Sequence, residues 1–151
     1  MNKMKNLKQR LSVVLETEGN RDYKLQKICS LLDKEIEHFN WTGFYFKDKN
    51  KDELVLGPFV GAETDHVRIP YGKGICGQVA VSGKTLLVPD VSEEENYLAC
   101  SISTRSELVV PIFKNGENIG QIDIDSHLAN AFTNEDKELL EWLCGEIGEK
   151  M

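Results

Sequence analysis

Two thiols and three of the carboxylates in one stretch of the chain, Val67 to Asp125, could do chemistry together, set among short apolar runs. Cys76 sits inside Gly72-Lys-Gly-Ile-Cys-Gly77, Cys100 in a long aperiodic segment, and Glu107, Asp123 and Asp125 on the two arms of a hairpin. No histidine is spaced to serve either thiol as a base, which argues against a hydrolase. Sulfur beside carboxyl suits the reduction, or the binding, of a small polar molecule.

The hairpin carries the clearest pattern. In a strand, Asp123 and Asp125 point to one face, about 6.5–7 Å apart, while Ile122 and Ile124 point to the other. Gln121 completes a wholly polar face, which either meets solvent or lines a pocket. In a pocket, two carboxylates about 7 Å apart repel by about 2.4 kcal/mol at an effective dielectric of about 20. That is close to two pKa units, so one acid could keep its proton near neutral pH while the other holds a cation. Glu107 tests the pocket reading. A two-residue turn at Asn115-Gly116 pairs Glu107 with Ile124, on the apolar face, whereas a bulge or a longer turn moves it beside the aspartates. The shifted register is expected, because an acid among Leu and Ile is costly.

Cys76 lies at the expected start of a helix, where backbone N–H groups favour a thiolate, and both a structural and a reactive role are open to it. Cys100, between Ala99 and Ser101 in a loop, is either an accessible nucleophile or a bystander. Cys29 and Cys144 fall on or beside apolar helix stripes and read as small core residues. The Gly72-to-Gly77 run lacks the G-K-[ST] ending of a phosphate loop.

These residues need a frame. Leu7, Leu11, Val14 and Leu15 predict an amphipathic helix over residues 2–18, stopped at Gly19-Asn20. A second helix is expected from Asp22 to His38, with His38 at the carbonyl end of its dipole and no chemistry of its own. Trp41 to Phe46 and Leu54 to Val60 read as paired strands, with Pro58 marking an edge or a bulge. A short strand at Val67 and Ile69, a helix from Ile75 to Ser82 ended by Gly83, and a strand from Thr85 to Val88 follow. Pro89 to Ser106 has no periodicity, and a loop of that length in a compact domain is more often functional than idle. After the hairpin, Thr133-Asn-Glu-Asp136 opens a last helix in capping-box form, with Leu139, Leu140, Leu143 and Ile147 on its core face. The pattern is α+β: about six short, mainly antiparallel strands with helices at both ends, forming one domain over residues 1–151.

The chain has 151 residues, a net charge of −7 and no long basic run, which disfavours nucleic acid. No leader peptide is expected from its lysine-rich start, and no membrane span from its short apolar runs. Its four cysteines form no C-x-x-C pair and no zinc spacing, so no metal or resident cofactor is expected, and a cytoplasmic protein with reduced thiols is the simplest account.

The residues also match a family. Trp41-Thr-Gly-Phe-Tyr45, Leu54-Val-Leu-Gly-Pro-Phe59, Arg68-Ile-Pro-Tyr-Gly-Lys-Gly-Ile-Cys-Gly77, Val88-Pro-Asp-Val91, Ala99-Cys100, Arg105-Ser-Glu107, Val110-Pro111 and Ile119-Gly-Gln-Ile-Asp-Ile-Asp-Ser126 occur in that order. Over about residues 20–150 the chain resembles the GAF-domain free methionine-(R)-sulfoxide reductases. The resemblance implies a GAF fold and thiol-dependent reduction of free methionine R-sulfoxide. It places Cys100 on the catalytic cysteine and Cys76 on the family's middle cysteine. It places Glu107, Asp123 and Asp125 on the substrate-binding and proton-supplying carboxylates, and Trp41 and Tyr45 on the aromatic wall. It also implies recycling by an external thiol such as thioredoxin, and it is compatible with a homodimer. One departure stands out: the usual resolving cysteine is replaced by His66. Either Cys76 or an external thiol would then resolve the Cys100 sulfenic acid, or recycling is impaired. A non-catalytic GAF module that senses a small amine or amino acid is the alternative.

Overall fold

The computed structural model describes residues 2–94 and 103–151. Helix α1 (Asn2–Glu16) and helix α2 (Arg21–Glu35) lead into strands β1 (Trp41–Lys47), β2 (Glu53–Val60) and β3 (Arg68–Pro70). Helix α3 (Gly74–Ser82), strand β4 (Leu86–Val88) and a 3-10 turn (Val91–Glu93) follow. The hairpin of β5 (Ser106–Lys114) and β6 (Glu117–Ser126) then precedes the final helix, α4 (Asn134–Lys150). The strands form one antiparallel sheet in the order β3-β2-β1-β6-β5-β4.

Strand alternation gives the sheet two unlike faces. Phe44, Leu108, Val110, Ile112, Ile122 and Ile124 pack against Leu7, Leu11 and Leu15 of α1, Leu25, Ile28 and Leu32 of α2, and Leu139, Leu140 and Leu143 of α4. Trp41, Tyr45 and Val109 point the other way, into a second cluster with Ile75, Cys76, Val79 and Ala80 of α3. Glu107, Gln121, Asp123 and Asp125 share this second face.

Local signals account for most boundaries. Thr133 and Asp136 form a reciprocal capping box at the start of α4. Gly83 ends α3 in the left-handed conformation (φ 68°), where only glycine is free of Cβ strain. Gly57 and Pro58 together stand opposite Phe44, between the pairs Gly43–Phe59 and Tyr45–Leu56, so the proline does mark a bulge. Helix α2 departs from expectation: it ends at Glu35, with Ile36 already extended. His38 lies beyond it, its Nε2 2.6 Å from Asp136 Oδ2, and so ties the entry of β1 to the first turn of α4.

Candidate active site

The hairpin register decides what Glu107 faces. Its tip is a two-residue turn, with Lys114 opposite Glu117 and both Asn115 (φ 53°) and Gly116 (φ 81°) left-handed. Farther along, Phe113 pairs with Asn118 but Ile112 with Gly120, which leaves Ile119 as an extra residue. This bulge sets Glu107 opposite Asp125 and Val109 opposite Asp123. On the other side of β6, Trp41 faces Asp125, Gly43 faces Asp123 and Tyr45 faces Gln121. The shifted register is the one observed, and the solvated-face alternative is overturned: Glu107 and Asp125 are 1% exposed and Asp123 0%.

Three buried carboxyls on neighbouring strands cannot all carry charge cheaply. Burial first, then the negative charges of Asp123 and Asp125, hold Glu107 well above the usual glutamate value. These surroundings favour the neutral form of Glu107. Cys76, in the first turn of α3, places Sγ 4.0 Å from Glu107 Oε2. Gln121 donates from Nε2 to the Cys76 carbonyl at 3.1 Å and so pins α3 to the sheet. Sequence reasoning placed Gln121 on the polar face but not at this contact, because nothing local to β6 shows where α3 will lie.

The aromatic side is equally ordered. The Trp41 indole donates from Nε1 to Ala62 O at 2.9 Å. Its ring stacks on Phe59, with centroids 5.4 Å apart at 18°, and lies 6.5 Å from Tyr45 at 27°. The Tyr45 hydroxyl donates to the His66 carbonyl at 2.9 Å, so His66 is held by its backbone next to the site. Phe59 was not singled out from the sequence, since the bulge at Pro58 sets which way it points.

Among the described residues, Cys76, Glu107 and Asp123 are a group whose donor atoms all lie within 4.8 Å of one another, and this set could hold a cation. The same crowding of acids suits an ammonium. Cys29 and Cys144 lie elsewhere, buried on the helix face, and burial pushes both thiols up, away from reactivity. Cys100 lies outside the described residues. The structure therefore brings together Cys76, Glu107, Asp123, Asp125, Trp41 and Tyr45 on one face of the sheet.

A sheet of this order, with helices packed on one face and a buried polar site on the other, is the architecture of a GAF domain, and the GAF domain family matches residues 10–150. A free methionine-R-sulfoxide reductase of Saccharomyces cerevisiae is 38% identical over 144 residues, covering 87% of this chain and 79% of that protein. Its Escherichia coli counterpart is 36% identical over 123 residues, covering 82% of this chain and 73% of that protein. The crystal structure of free methionine-R-sulfoxide reductase from Neisseria meningitidis in complex with its substrate superposes with a TM-score of 0.88 at 38% identity, covering 95% of this chain and 84% of that one. The chain belongs to the GAF-domain free methionine-R-sulfoxide reductase family.

Proposed function

We propose that this chain reduces free methionine R-sulfoxide to methionine. The observation that carries the reading is the buried meeting of Glu107, Asp123 and Asp125 beside the Cys76 thiol, in a member of this family. Ionised Asp123 and Asp125 hold the ammonium of a free amino acid. A methionine within a polypeptide has no such group, so these acids select the free substrate. Trp41 and Tyr45 supply the apolar wall for the S-methyl end.

In the reaction, the Cys100 sulfur attacks the sulfoxide sulfur while Glu107 passes its proton to the sulfoxide oxygen. The oxygen is transferred to Cys100 as a sulfenic acid, and methionine leaves as the thioether. A second thiol, from Cys76 or from outside the chain, displaces water from the sulfenic acid to form a disulfide. An external dithiol of the thioredoxin type then reduces that disulfide by exchange and is itself oxidised. Dependence on free thiols and on such a reductant supports a cytoplasmic location. Among the described residues, no helix is long and apolar enough to cross a membrane.

The deciding experiment follows NADPH oxidation with thioredoxin, its reductase and free methionine R-sulfoxide. Turnover should be specific for the R epimer and should fall at least about a thousandfold in Cys100→Ser, as expected for loss of a nucleophile. Equal turnover in that variant removes Cys100 from the mechanism. Peptide mass analysis of substrate-treated protein separates a Cys76–Cys100 disulfide from a mixed disulfide with an external thiol. One observation favours a sensor instead: His66 occupies the place of a cysteine. Methionine binding with no sulfoxide consumed would select that reading.

A further inference from the structure

The face of β1 that meets the acids reads Trp41, Gly43, Tyr45, so a residue without a side chain stands between two aromatics and directly opposite Asp123. A Cβ at Gly43 would lie 2.6 Å from Cζ3 of the Trp41 ring and 2.8 Å from Cβ of Phe59, with Trp41 Cη2 closer still. The six-membered ring of the indole therefore lies across the Gly43 backbone, pressed between that strand and Phe59. Gly61 completes the seat from the other side: a Cβ there would meet Trp41 Cδ1 at 2.6 Å, and its φ of 134° is open to glycine alone. Gly43 has no such backbone demand, since its φ is not positive. What position 43 requires is space.

We propose that Gly43 is a specificity-determining positioning residue: its bare backbone lets the Trp41 indole lie flat beside Asp123, and this sets the gap between the aromatic wall and the acids that the substrate must span. The inference rests on the reading of the site given above. A methyl at position 43 would force the indole to move by about 1 Å to reach ordinary contact. It would also stand next to the Asp123 side chain, since directly opposed Cβ atoms are about 4.5–5.5 Å apart. Both changes narrow the site on the side of the aromatic wall. Glu107 and Cys76, which lie across β6 from Gly43, keep their places.

The test uses a Trp142→Phe background, in which Trp41 is the only tryptophan left. Turnover of free methionine R-sulfoxide by this background checks the proposed function, so its absence counts against that reading alone. Gly43→Ala should then raise KM about tenfold or more, with kcat within about threefold. The change in Trp41 fluorescence on adding methionine should weaken in parallel. In Trp41→Phe, which lacks the second ring, adding Gly43→Ala should change KM by less than about threefold. A KM within twofold of the background in Gly43→Ala overturns the proposal. So does an equal penalty with and without the indole, which would make Phe59 and the β2 backbone the constraint. Should Gly43→Ala alone fail to fold, the Trp41→Phe double variant carries the test: folding with the KM of Trp41→Phe supports the proposal, and failure to fold overturns it.

Discussion

At the scale of single residues, Glu107 is the acid that the proposed reaction asks to give up a proton, and that proton is the quantity to measure. Its folded-state pKa is raised above the ordinary value of 4.5 by burial and by Asp123 and Asp125. The neutral form is therefore available as a donor at a pH where an exposed glutamate has lost its proton. Turnover should fall as pH rises through the raised value, and Glu107→Gln should lower kcat about 10²–10⁴-fold and abolish that alkaline limb. Stability follows the same sign. The folded chain holds this proton more tightly than the unfolded one, so the contribution is fully present below 4.5 and is lost as pH climbs to the folded value. Within that window each pH unit removes about 1.4 kcal/mol. Urea unfolding at several pH values should show this decline in the parent and a flatter profile in Glu107→Gln. The meeting of the three acids on one face was legible in the sequence because an Asp-Ile-Asp alternation next to a misfit glutamate has few economical arrangements. The Cys76–Glu107 approach was not, since it depends on where α3 settles over the sheet. The same holds for the His38–Asp136 pair, which joins residues 98 positions apart.

At the scale of elements, α4 shows how a local signal and a distant contact can share one side chain. Asp136 accepts from the Thr133 backbone N–H at 3.0 Å, closing the capping box, and also faces His38 at 2.6 Å. Thr133→Ala removes one half of the cap and should cost about 1 kcal/mol by urea unfolding. Asp136→Ala should cost more, because it also leaves His38 without its carboxylate. The far end of α4 presses on the sheet at Gly148, where an added Cβ would collide with the Phe113 carbonyl. The start of α4 was readable from Thr133, whose side chain caps the following turn, whereas Asn20, read only as a stop for α1, also caps α2. The end of α2 was misjudged by three residues because no glycine or proline marks it. There the chain turns early to deliver Phe39 to the core and His38 to Asp136.

At the scale of the molecule, the sheet works as a partition between a supporting face under the helices and the face that holds the candidate site. Helix α1 belongs wholly to the support: Leu7, Leu11 and Leu15 are buried against α2 and α4. Leu11→Ala should destabilise the fold by about 2–5 kcal/mol, read by urea unfolding, while KM of the folded fraction stays unchanged. That partition hangs on a matter of counting in the hairpin. Glu107 and Asp125 are separated by an even number of positions, and a hairpin closed by two residues brings only odd separations face to face. The surplus Ile119 repairs the parity. A variant lacking Ile119 should therefore keep Glu107 opposite Asp125 with no irregularity in the ladder. A single residue added or lost elsewhere between Glu107 and Asp125 should invert the strand and drive a carboxylate into the leucines beneath the helices.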